Sequence, residues 1–562
     1  MPASDLSTER RRRLTHRAVP ALVALAVLAT SAGLMVGAHA QSGAERTARD
    51  FTQAWERGDL RSMYALLDEP SQQAHSLREF RRAYRDAAAT ATLARVHAGA
   101  PSAGDGDSVS VPIDAHTRAF GRVRAELVLP VAGERVTWGP LLAFPGLRMG
   151  EALDRRSQPP RRATLLSRDG KVLARGQAYS RSSPLEAIAG SIAGTLSPQE
   201  TTEERRALYA RGFPQDWPVG QNGLEEAFEH LLRGRPGGEL LAGDRVLARS
   251  RPRPALPVRT TIDTRLQEAA VTALAGRFGG IAALDPRNGE IRALAGIAFS
   301  APQPPGSTFK IVTAAAALEA RLVKPTSEFP IATAATIDGV ELENANGESC
   351  GGSFRNSFAH SCNSVFAPLG VELGAEALVE MAERFGWNRD PAVTGEVPST
   401  IPPASEITTP LEVGSTAIGQ FRTLATPLML ASVAQTIAAH GVRHVPTLAL
   451  GDPPRSVRVV RPRIARVIES LMIDAVGYGT GTAAALPGVK VAGKTGTAEL
   501  EDTRDPETGE TAEPDPLNTD AWFTAYAPAG RPRIAVAVML VRAGAGGATA
   551  APAARIVLEA AL

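Results

Sequence analysis

An uncharged, apolar run of 21 residues, Ala18 to Ala38, stands close to the N-terminus. A run of this length can cross a bilayer as one helix, and it is longer than the apolar part of a typical signal peptide. Arg10 to Arg13 and Arg17 precede it, so the positive-inside rule keeps residues 1–17 in the cytoplasm. We therefore predict a single-pass protein of the cell membrane, with a cytoplasmic tail (1–17), an anchor (18–38) and the bulk of the chain outside the cytoplasm. Cleavage of a signal peptide near Ala40 is the alternative.

The rest of the chain is long enough for several domains. The whole chain has 562 residues, of which 44% are hydrophobic and 21% are charged. This length predicts three or four domains, and this composition is typical of globular proteins and excludes a largely disordered or fibrous one. The net charge of +2 gives no indication of nucleic-acid binding. A linker rich in charge and proline at 153–162, and a second Pro/Arg stretch, RSRPRPALPVR at 249–259, separate three segments.

The three segments differ in their hydrophobic patterns. Residues 43–147 begin with a helical pattern from Phe51 to Leu67 and continue with two alternating strand patterns, which predicts an α+β domain. Residues 160–252 contain a hairpin signal at Asp169-Gly170 and one helical pattern. Residues 256–562 have strand patterns at both ends and helical patterns between them. We therefore predict that this last segment is an α/β unit with one sheet built from both of its ends.

The last segment contains a serine and a lysine in a reactive spacing, Ser307-Thr308-Phe309-Lys310. Residues three apart share one face of a helix, so the lysine is expected to lie against the serine. A serine hydroxyl is a weak nucleophile unless a base takes its proton, and a lysine whose pKa is depressed can be that base, whereas arginine cannot. Only five of the 61 basic residues are lysine, so a lysine at this position is informative.

Two further motifs follow in order, Ser361-Cys362-Asn363 and Lys494-Thr495-Gly496-Thr497. The hydroxyl of Ser361 can relay a proton, and the amide of Asn363 can orient a peptide group. A cationic Lys494 can bind a carboxylate and favour a neutral Lys310, while Gly496 allows a substrate backbone to approach. Backbone N–H groups of Ser307 and Thr497 are expected to form an oxyanion hole. Each motif alone also fits a turn, a cap or chance, and the specific signal is the ordered trio.

The trio resembles the active-site motifs of the penicillin-binding proteins. Segments that carry the same resemblance are TIDTRLQEAAVTAL, ALDPRNGEIRALAG, PPGSTFKIVTAAAALE, STAIGQFRTLATPLMLASVAQTIAAHG and AWFTAYAP. The resemblance implies a multidomain α+β class B member. Its parts would be an N-terminal membrane helix, an NTF2-like domain (43–147), a pedestal or dimerisation domain (160–252) and a transpeptidase domain (256–562) with a β-lactamase-like antiparallel sheet and helices.

The resemblance also implies a chemistry, the D,D-transpeptidation of peptidoglycan stem peptides, with covalent inhibition by β-lactams. Ser307 would be the nucleophile, Lys310 the general base and Ser361 the proton relay. The predicted substrate-binding residues are Asn363, Lys494, Thr495, Gly496 and Thr497. A D,D-carboxypeptidase, a protein that hydrolyses or senses β-lactams, and a non-catalytic cell-wall scaffold are the alternatives.

The expected partners follow from the same resemblance. They are stem peptides, β-lactams, the membrane, and proteins of cell-wall synthesis or division. No nucleic acid, metal or cofactor is expected.

Two details of the sequence stay open. Cys350 and Cys362 flank the second motif and form either a disulfide or two free thiols, because spacing does not decide between them. Phe421 follows Gly419-Gln420 and Asp520 precedes Ala-Trp-Phe, where the family often has glycine and histidine. These departures leave the shape of the substrate groove open.

Overall fold

The computed structural model describes residues 42–501 and 515–562. The predicted cytoplasmic tail and membrane anchor lie outside this range. Within it, no helix combines the length and the apolar character that a membrane crossing requires. The described residues form two compact units, of which the first contains residues 42–159 together with Glu200–Asp216 and Arg235–Arg253. The second contains Pro160–Gln199, Trp217–Gly234 and Pro254–Leu562, so residues 160–252 contribute to both units.

The first unit is an α+β structure built on a mostly antiparallel sheet. Its helices are Gly43–Glu56, Leu60–Ala65, Glu69–Ala74, Leu77–Thr90 and Thr202–Tyr209. The strands of the larger sheet are Leu93–Ala98, Ser102–Ala103, Ser108–Thr117, Arg122–Ala132 and Arg135–Val136, and a second, three-stranded sheet contains Leu153–Gln158, Gly237–Ala242 and Arg245–Ser250. The alternating strand patterns expected from the sequence are confirmed, because Ser108–Thr117 buries every second residue over most of its length.

The helical pattern from Phe51 to Leu67 corresponds to two helices, Gly43–Glu56 and Leu60–Ala65, with a break between them. Gly58 has a φ of +70°, which ends the first helix, and Asp59 caps the next helix by accepting a hydrogen bond from the Ser62 N–H. The apolar side chains of both helices still reach one core, in which Phe51 and Met63 are fully buried. That residues 43–147 form an NTF2-like domain stays a prediction.

The second unit contains a five-stranded antiparallel sheet. Its strands are β1 (Gly279–Leu284), β2 (Ile291–Gly296), β3 (Ala492–Glu499), β4 (Thr519–Ala527) and β5 (Ile534–Leu540). Their order is β2-β1-β5-β4-β3, with β3 at one edge. The prediction of one sheet built from both ends of residues 256–562 is therefore confirmed. The predicted β1–β2 hairpin is also present, and Asp285 stabilises its turn by accepting hydrogen bonds from Arg287 and Arg292.

Helices cover both faces of this sheet. One face packs against α1 (Thr264–Leu274) and α7 (Gly546–Ala561) in a core of alanine, valine and leucine side chains. The other face packs against a larger helical region, which contains α2 (Lys310–Glu319), α3 (Phe354–Ala359), α4 (Asn363–Leu373), α5 (Pro427–Ala438) and α6 (Pro462–Gly477). The three sequence motifs lie in this region and on β3.

The other elements of the second unit are shorter or lie away from the motifs. The additional helices are Glu186–Ala193, Gly223–Ala227, Glu229–Leu232, Ala375–Phe385 and Pro410–Ala417. The additional strands are Leu165–Leu166, Val172–Ala174, Leu196–Ser197, Val219–Gly220, Val258–Arg259, Glu328–Ala332, Ala334–Ile337, Val340–Glu343, Cys350–Ser353, Val442–His444 and Ser456–Arg458. The predicted hairpin at Asp169-Gly170 is confirmed by the antiparallel pairing of Leu165–Leu166 with Val172–Ala174.

Candidate active site

Ser307 lies in a tight turn, Gly306–Phe309, that leads directly into α2. Gly306 has a φ of +52°, and a Cβ atom there would lie 2.6 Å from the carbonyl oxygen of Thr497. Its N–H donates a 2.9 Å hydrogen bond to the carbonyl of Gly419. Only glycine fits between these two backbones, so the sequence Pro304-Pro305-Gly306 brings the half-buried Ser307 beside the edge strand β3.

Lys310 begins α2, and its side chain is fully buried. Its Nζ donates to the Ser361 carbonyl at 2.7 Å and to Asn363 Oδ1 at 2.6 Å, and it lies 3.3 Å from Ser361 Oγ. We expected the amine to contact Ser307, one helical turn away. In the part of the chain that the structure describes, its hydrogen bonds go instead to the second motif.

Ser361 connects α3 to α4 and holds its backbone at a φ of +61°. This left-handed conformation is uncommon for residues other than glycine, and it recurs where a site imposes it. Asn363 begins α4, and its Nδ2 donates a 2.6 Å hydrogen bond to the carbonyl of Glu343. The short connection thus presents the Ser361 hydroxyl, the Ser361 carbonyl and the Asn363 amide oxygen to one lysine.

Lys494 reaches the same hydroxyl from β3. Its fully buried Nζ lies 2.7 Å from Ser361 Oγ and 3.1 Å from the carbonyl of Thr495. The structure therefore brings the three motifs together around one serine side chain. Among the described residues, β3 pairs in the sheet with β4 alone, and an unpaired strand edge of this kind is where an extended peptide can add to a sheet.

The remaining residues of the third motif make backbone and hydroxyl contacts. The hydroxyl of Thr495 lies 2.5 Å from that of Thr480, and the hydroxyl of Thr497 accepts a 3.3 Å hydrogen bond from the Gly546 N–H. A Cβ atom on Gly496 would lie 2.8 Å from the carbonyl of Pro305. Gly496 is expected to allow the approach of a substrate, and it has a second role as the contact point for the turn that carries Ser307.

The surroundings of Lys310 and Lys494 lower the pKa of both amines. Burial, reinforced by the positive charge of Lys494, holds the pKa of Lys310 well below its ordinary value. Burial lowers the pKa of Lys494 to about 7. The ring centroids of Phe366 and Phe358 lie 5.5 Å from Lys310 Nζ and 5.7 Å from Lys494 Nζ, respectively. Across 42–501 and 515–562, neither lysine is paired with a carboxylate, so little opposes the loss of a proton from Lys310.

Three further residues contribute to the site, Gly419, Thr480 and Gly546, and the sequence predicted no role for them. Gly419 has a φ of +78°, and a Cβ atom there would lie 2.0 Å from the Gly306 carbonyl. Thr480 and Gly546 contact the third motif as described above. Gly419 lies in a segment that carries the family resemblance, STAIGQFRTLATPLMLASVAQTIAAHG, and the resemblance assigns it no role. The position of all three residues beside the site follows from the tertiary fold, which no local pattern encodes.

The structure shows the state of the two cysteines and the positions of the two departures from the family pattern. Cys350 and Cys362 form a disulfide, with Cα atoms 5.4 Å apart, so the alternative of two free thiols is not the one observed. Asp520 is buried on β4 opposite Ala498, and its burial raises the pKa of its carboxyl. Phe421 has a φ of +61° and leaves 36% of its surface exposed.

Comparison with known proteins gives consistent matches. Residues 279–559 match the family model described as the penicillin binding protein transpeptidase domain. Peptidoglycan D,D-transpeptidase PbpA of Mycobacterium tuberculosis is 35% identical over 379 residues, covering 54% of this chain and 72% of that protein. PbpA of Mycolicibacterium smegmatis is 31% identical over 450 residues, covering 66% and 87%. The structure of penicillin-binding protein A from M. tuberculosis as a penicillin G acyl-enzyme complex matches with a TM-score of 0.57 and 28% identity, covering 72% of this chain and 99% of that one.

Proposed function

Because the chain belongs to the penicillin-binding protein transpeptidase family, as a class B member, we propose that it crosslinks peptidoglycan stem peptides through an acyl-enzyme on Ser307. One observation carries the assignment of the residues. Two buried lysines without carboxylate partners among the described residues, Lys310 and Lys494, converge on the hydroxyl of Ser361, beside the turn that presents Ser307. β-Lactams acylate the same serine, in keeping with the acyl-enzyme structures of the similar penicillin-binding protein A.

Lys310 is the general base for acylation. A neutral amine has two N–H donors and one lone pair. The Ser361 carbonyl and Asn363 Oδ1 accept hydrogen from Lys310 at 2.7 and 2.6 Å, so these two contacts occupy both N–H groups and leave the lone pair for a hydroxyl proton. Hydrogen bonds to a catalytic base are often loose without substrate, so a Ser307–Lys310 contact is expected to tighten when substrate binds.

Acylation requires two proton transfers, one from the Ser307 hydroxyl and one to the leaving amine. The Ser307 hydroxyl oxygen attacks the carbonyl carbon of the penultimate D-Ala, and its proton passes to Lys310. The C–N bond to the terminal D-Ala then breaks, and the leaving amine takes a proton through the Ser361 hydroxyl. Backbone N–H groups of Ser307 and Thr497 stabilise the negative charge that develops on the carbonyl oxygen. Terminal D-Ala departs, and an ester on Ser307 remains.

The deacylation step uses the same groups in reverse. The amine of a neighbouring stem peptide attacks the ester, gives up a proton to Lys310 and forms the crosslink, while Ser307 recovers its hydroxyl. Lys494, Thr495 and Thr497 hold the terminal carboxylate of the donor peptide. In a β-lactam the leaving amine stays tethered to the acyl group, which blocks the approach of the acceptor.

Labelling with a fluorescent penicillin tests the nucleophile. We expect the wild-type chain to be labelled and Ser307→Ala to remain unlabelled, while Thr308→Ser, one position further on, retains the label. Equal labelling of the wild type and Ser307→Ala would reject the assignment. Transfer is separated from hydrolysis with a D-Ala-D-Ala thioester analogue and an added D-amino acid. A transpeptidase gives the aminolysis product, and a carboxypeptidase gives free acid at every acceptor concentration.

The N-terminal part of the chain supports a further proposal on location. We infer that residues 18–38 anchor the protein in the cell membrane, on the strength of their apolar length and the preceding arginines. The NTF2-like domain (43–147) and the pedestal (160–252) would then hold the active site toward the cell wall and offer surfaces to proteins of cell-wall synthesis or division. Mass spectrometry of membrane-purified protein tests the anchor, because signal cleavage near Ala40 would remove the entire apolar run.

A further inference from the structure

The second motif contains a cysteine that the proposed mechanism does not use. Cys362 lies between Ser361 and Asn363, and Lys310 contacts both of these neighbours. Its disulfide partner, Cys350, begins the strand Cys350–Ser353, which pairs with Glu328–Ala332. Cys362 is fully buried and Cys350 is 6% exposed. The disulfide therefore joins the backbone next to Ser361, the proposed proton relay, to a neighbouring two-stranded sheet.

Cys362 also lies at the start of the helix that carries Asn363. Cys362 is the N-cap of α4, a position at which serine, threonine, aspartate or asparagine usually bonds to the helix N–H groups. The side chain of Cys362 makes no capping hydrogen bond, because its sulfur is bonded to Cys350, and Asn344 Oδ1 accepts the 2.9 Å hydrogen bond from the Ser364 N–H in the first turn of α4. At the N-cap position itself, the disulfide is what ties the start of the helix that carries Asn363 to the neighbouring strand.

The conformation of Ser361 needs an external restraint. Its φ of +61° is unfavourable for a residue with a Cβ atom, and it persists only where the surroundings impose it. Cys350 and Cys362 are 12 positions apart in sequence, and the residues between them include α3 and Ser361. The disulfide therefore closes a short loop that ends directly after Ser361. On its N-terminal side, Ser361 is restrained by a 3.2 Å hydrogen bond from its own N–H to the Phe358 carbonyl. On its C-terminal side, the N–H of Cys362 donates a 2.9 Å hydrogen bond to the Ser357 carbonyl, and the disulfide adds a covalent restraint.

We propose that the Cys350–Cys362 disulfide is a positioning element of the active site, which holds the Ser361 hydroxyl between Lys310 and Lys494 so that acylation of Ser307 is fast only in the oxidised chain. The proposal rests on the function proposed above. Without the link, Ser361 can relax toward negative φ, and its hydroxyl and carbonyl move away from the two amines. A misplacement of about 1 Å in a catalytic group costs up to about 100-fold in rate.

The test separates the speed of acylation from the amount of folded enzyme. A fluorescent penicillin is varied in concentration, and three quantities are measured: the acylation rate constant at saturation, the apparent dissociation constant, and the fraction of enzyme labelled at the end. Wild-type protein is compared before and after treatment with excess dithiothreitol, which is oxidised to its cyclic disulfide as it reduces the cystine to two thiols. We expect reduction to lower the saturating rate constant by about 10- to 100-fold while the labelled fraction stays unchanged.

Two variants complete the design. Cys350→Ala/Cys362→Ala should match the reduced wild type and should not respond to dithiothreitol. Ser364→Ala removes the 3.3 Å hydrogen bond from the Ser364 hydroxyl to the Cys350 carbonyl, which joins α4 to the same strand and leaves the disulfide intact. This variant should lower the Tm while retaining the wild-type rate constant, because it weakens the same region without releasing Ser361.

Each other outcome has a defined meaning. Equal rate constants in the oxidised and reduced chains would overturn the proposal. So would a loss confined to the labelled fraction, or the absence of cooperative thermal unfolding in both the reduced chain and the double variant, because either result assigns the disulfide to stability alone. Absence of labelling in the oxidised wild type would instead reject the proposed function, whatever the state of the cysteines.

Discussion

Lys310 and Lys494 approach one hydroxyl, Ser361 Oγ, from 3.3 and 2.7 Å. A protonated amine can only donate, so the closer lysine, Lys494, gives a hydrogen bond to this oxygen. The proton of Ser361 is then free to point toward the lone pair of a neutral Lys310. Lys494 acts as a cation and Lys310 acts as a base. The Ser361 hydroxyl lies between the two amines and provides a short path for proton transfer.

Replacement of the base by arginine is expected to slow acylation strongly. Lys310→Arg keeps a positive charge but removes the group that can lose a proton, because the guanidinium does not deprotonate in proteins. Loss of general-base catalysis costs about 10²- to 10⁴-fold, so the second-order rate constant for penicillin labelling should fall by at least about 100-fold. Lys324→Arg, an exposed lysine in the same unit, is the matched control and should label at the wild-type rate. Normal labelling of Lys310→Arg would show that the base is another group.

Acylation should decline as the pH rises above neutrality. The pKa of Lys494 is about 7, so its charge, which binds the carboxylate of the substrate or β-lactam, is lost through this range. Burial, and then the charge of Lys494, hold the pKa of Lys310 well below its ordinary value, which favours the neutral base. The pH profile of the second-order acylation rate constant reports these groups in the free enzyme. Lys494→Arg should be slower than wild type at pH 7 and should lack the alkaline decline, and persistence of that decline would assign it elsewhere.

Lys494 is expected to destabilise the fold, because its amine must be buried. Its ordinary pKa of 10.5 is lowered to about 7 in the folded chain, so between these values the unfolded chain binds more protons and stability rises with pH. Replacement by a neutral side chain of similar length, Lys494→Met, should raise the free energy of unfolding at pH 7 by a few kcal/mol, at about 1.4 kcal/mol per pKa unit. The gain should shrink between pH 7 and pH 10. Thermal unfolding of both proteins at the two pH values checks this, and a gain independent of pH would contradict it.

Much of the larger unit could be predicted because its signals are local. The turn at Asp285 to Gly289 predicted the β1–β2 hairpin, and strand patterns near both ends of residues 256–562 predicted the shared sheet. The three motifs identified the residues that converge on Ser361 because the required chemistry is specific: a lysine can lose its proton and act as a base, which an arginine cannot. The break at Gly58 escaped prediction, since a helical pattern of apolar residues can continue across two helices that share one core.

The contacts of the site could not be predicted in the same way. The spacing of Ser307 and Lys310 indicates one helix face, but the amine of Lys310 bonds to Ser361 and Asn363, more than 50 positions further along the chain. The disulfide likewise depends on how Cβ atoms are directed in three dimensions, which the separation of two cysteines does not determine. Long-range packing decides both, and it is not encoded in any single window of sequence.

Gly496 provides a test of how closely the turn of Ser307 must approach β3. In Gly496→Ala the added Cβ would lie 2.8 Å from the Pro305 carbonyl and 2.9 Å from Thr308 Cγ2, so the turn must move outward by several tenths of an ångström. Since Ser307 lies between these two residues, we expect the acylation rate constant to fall by about tenfold or more. Gly477→Ala, near the end of α6, is the control, because a Cβ there meets nothing within 4 Å. If Gly496→Ala acylates like Gly477→Ala, the contact between β3 and the turn does not set the position of the nucleophile.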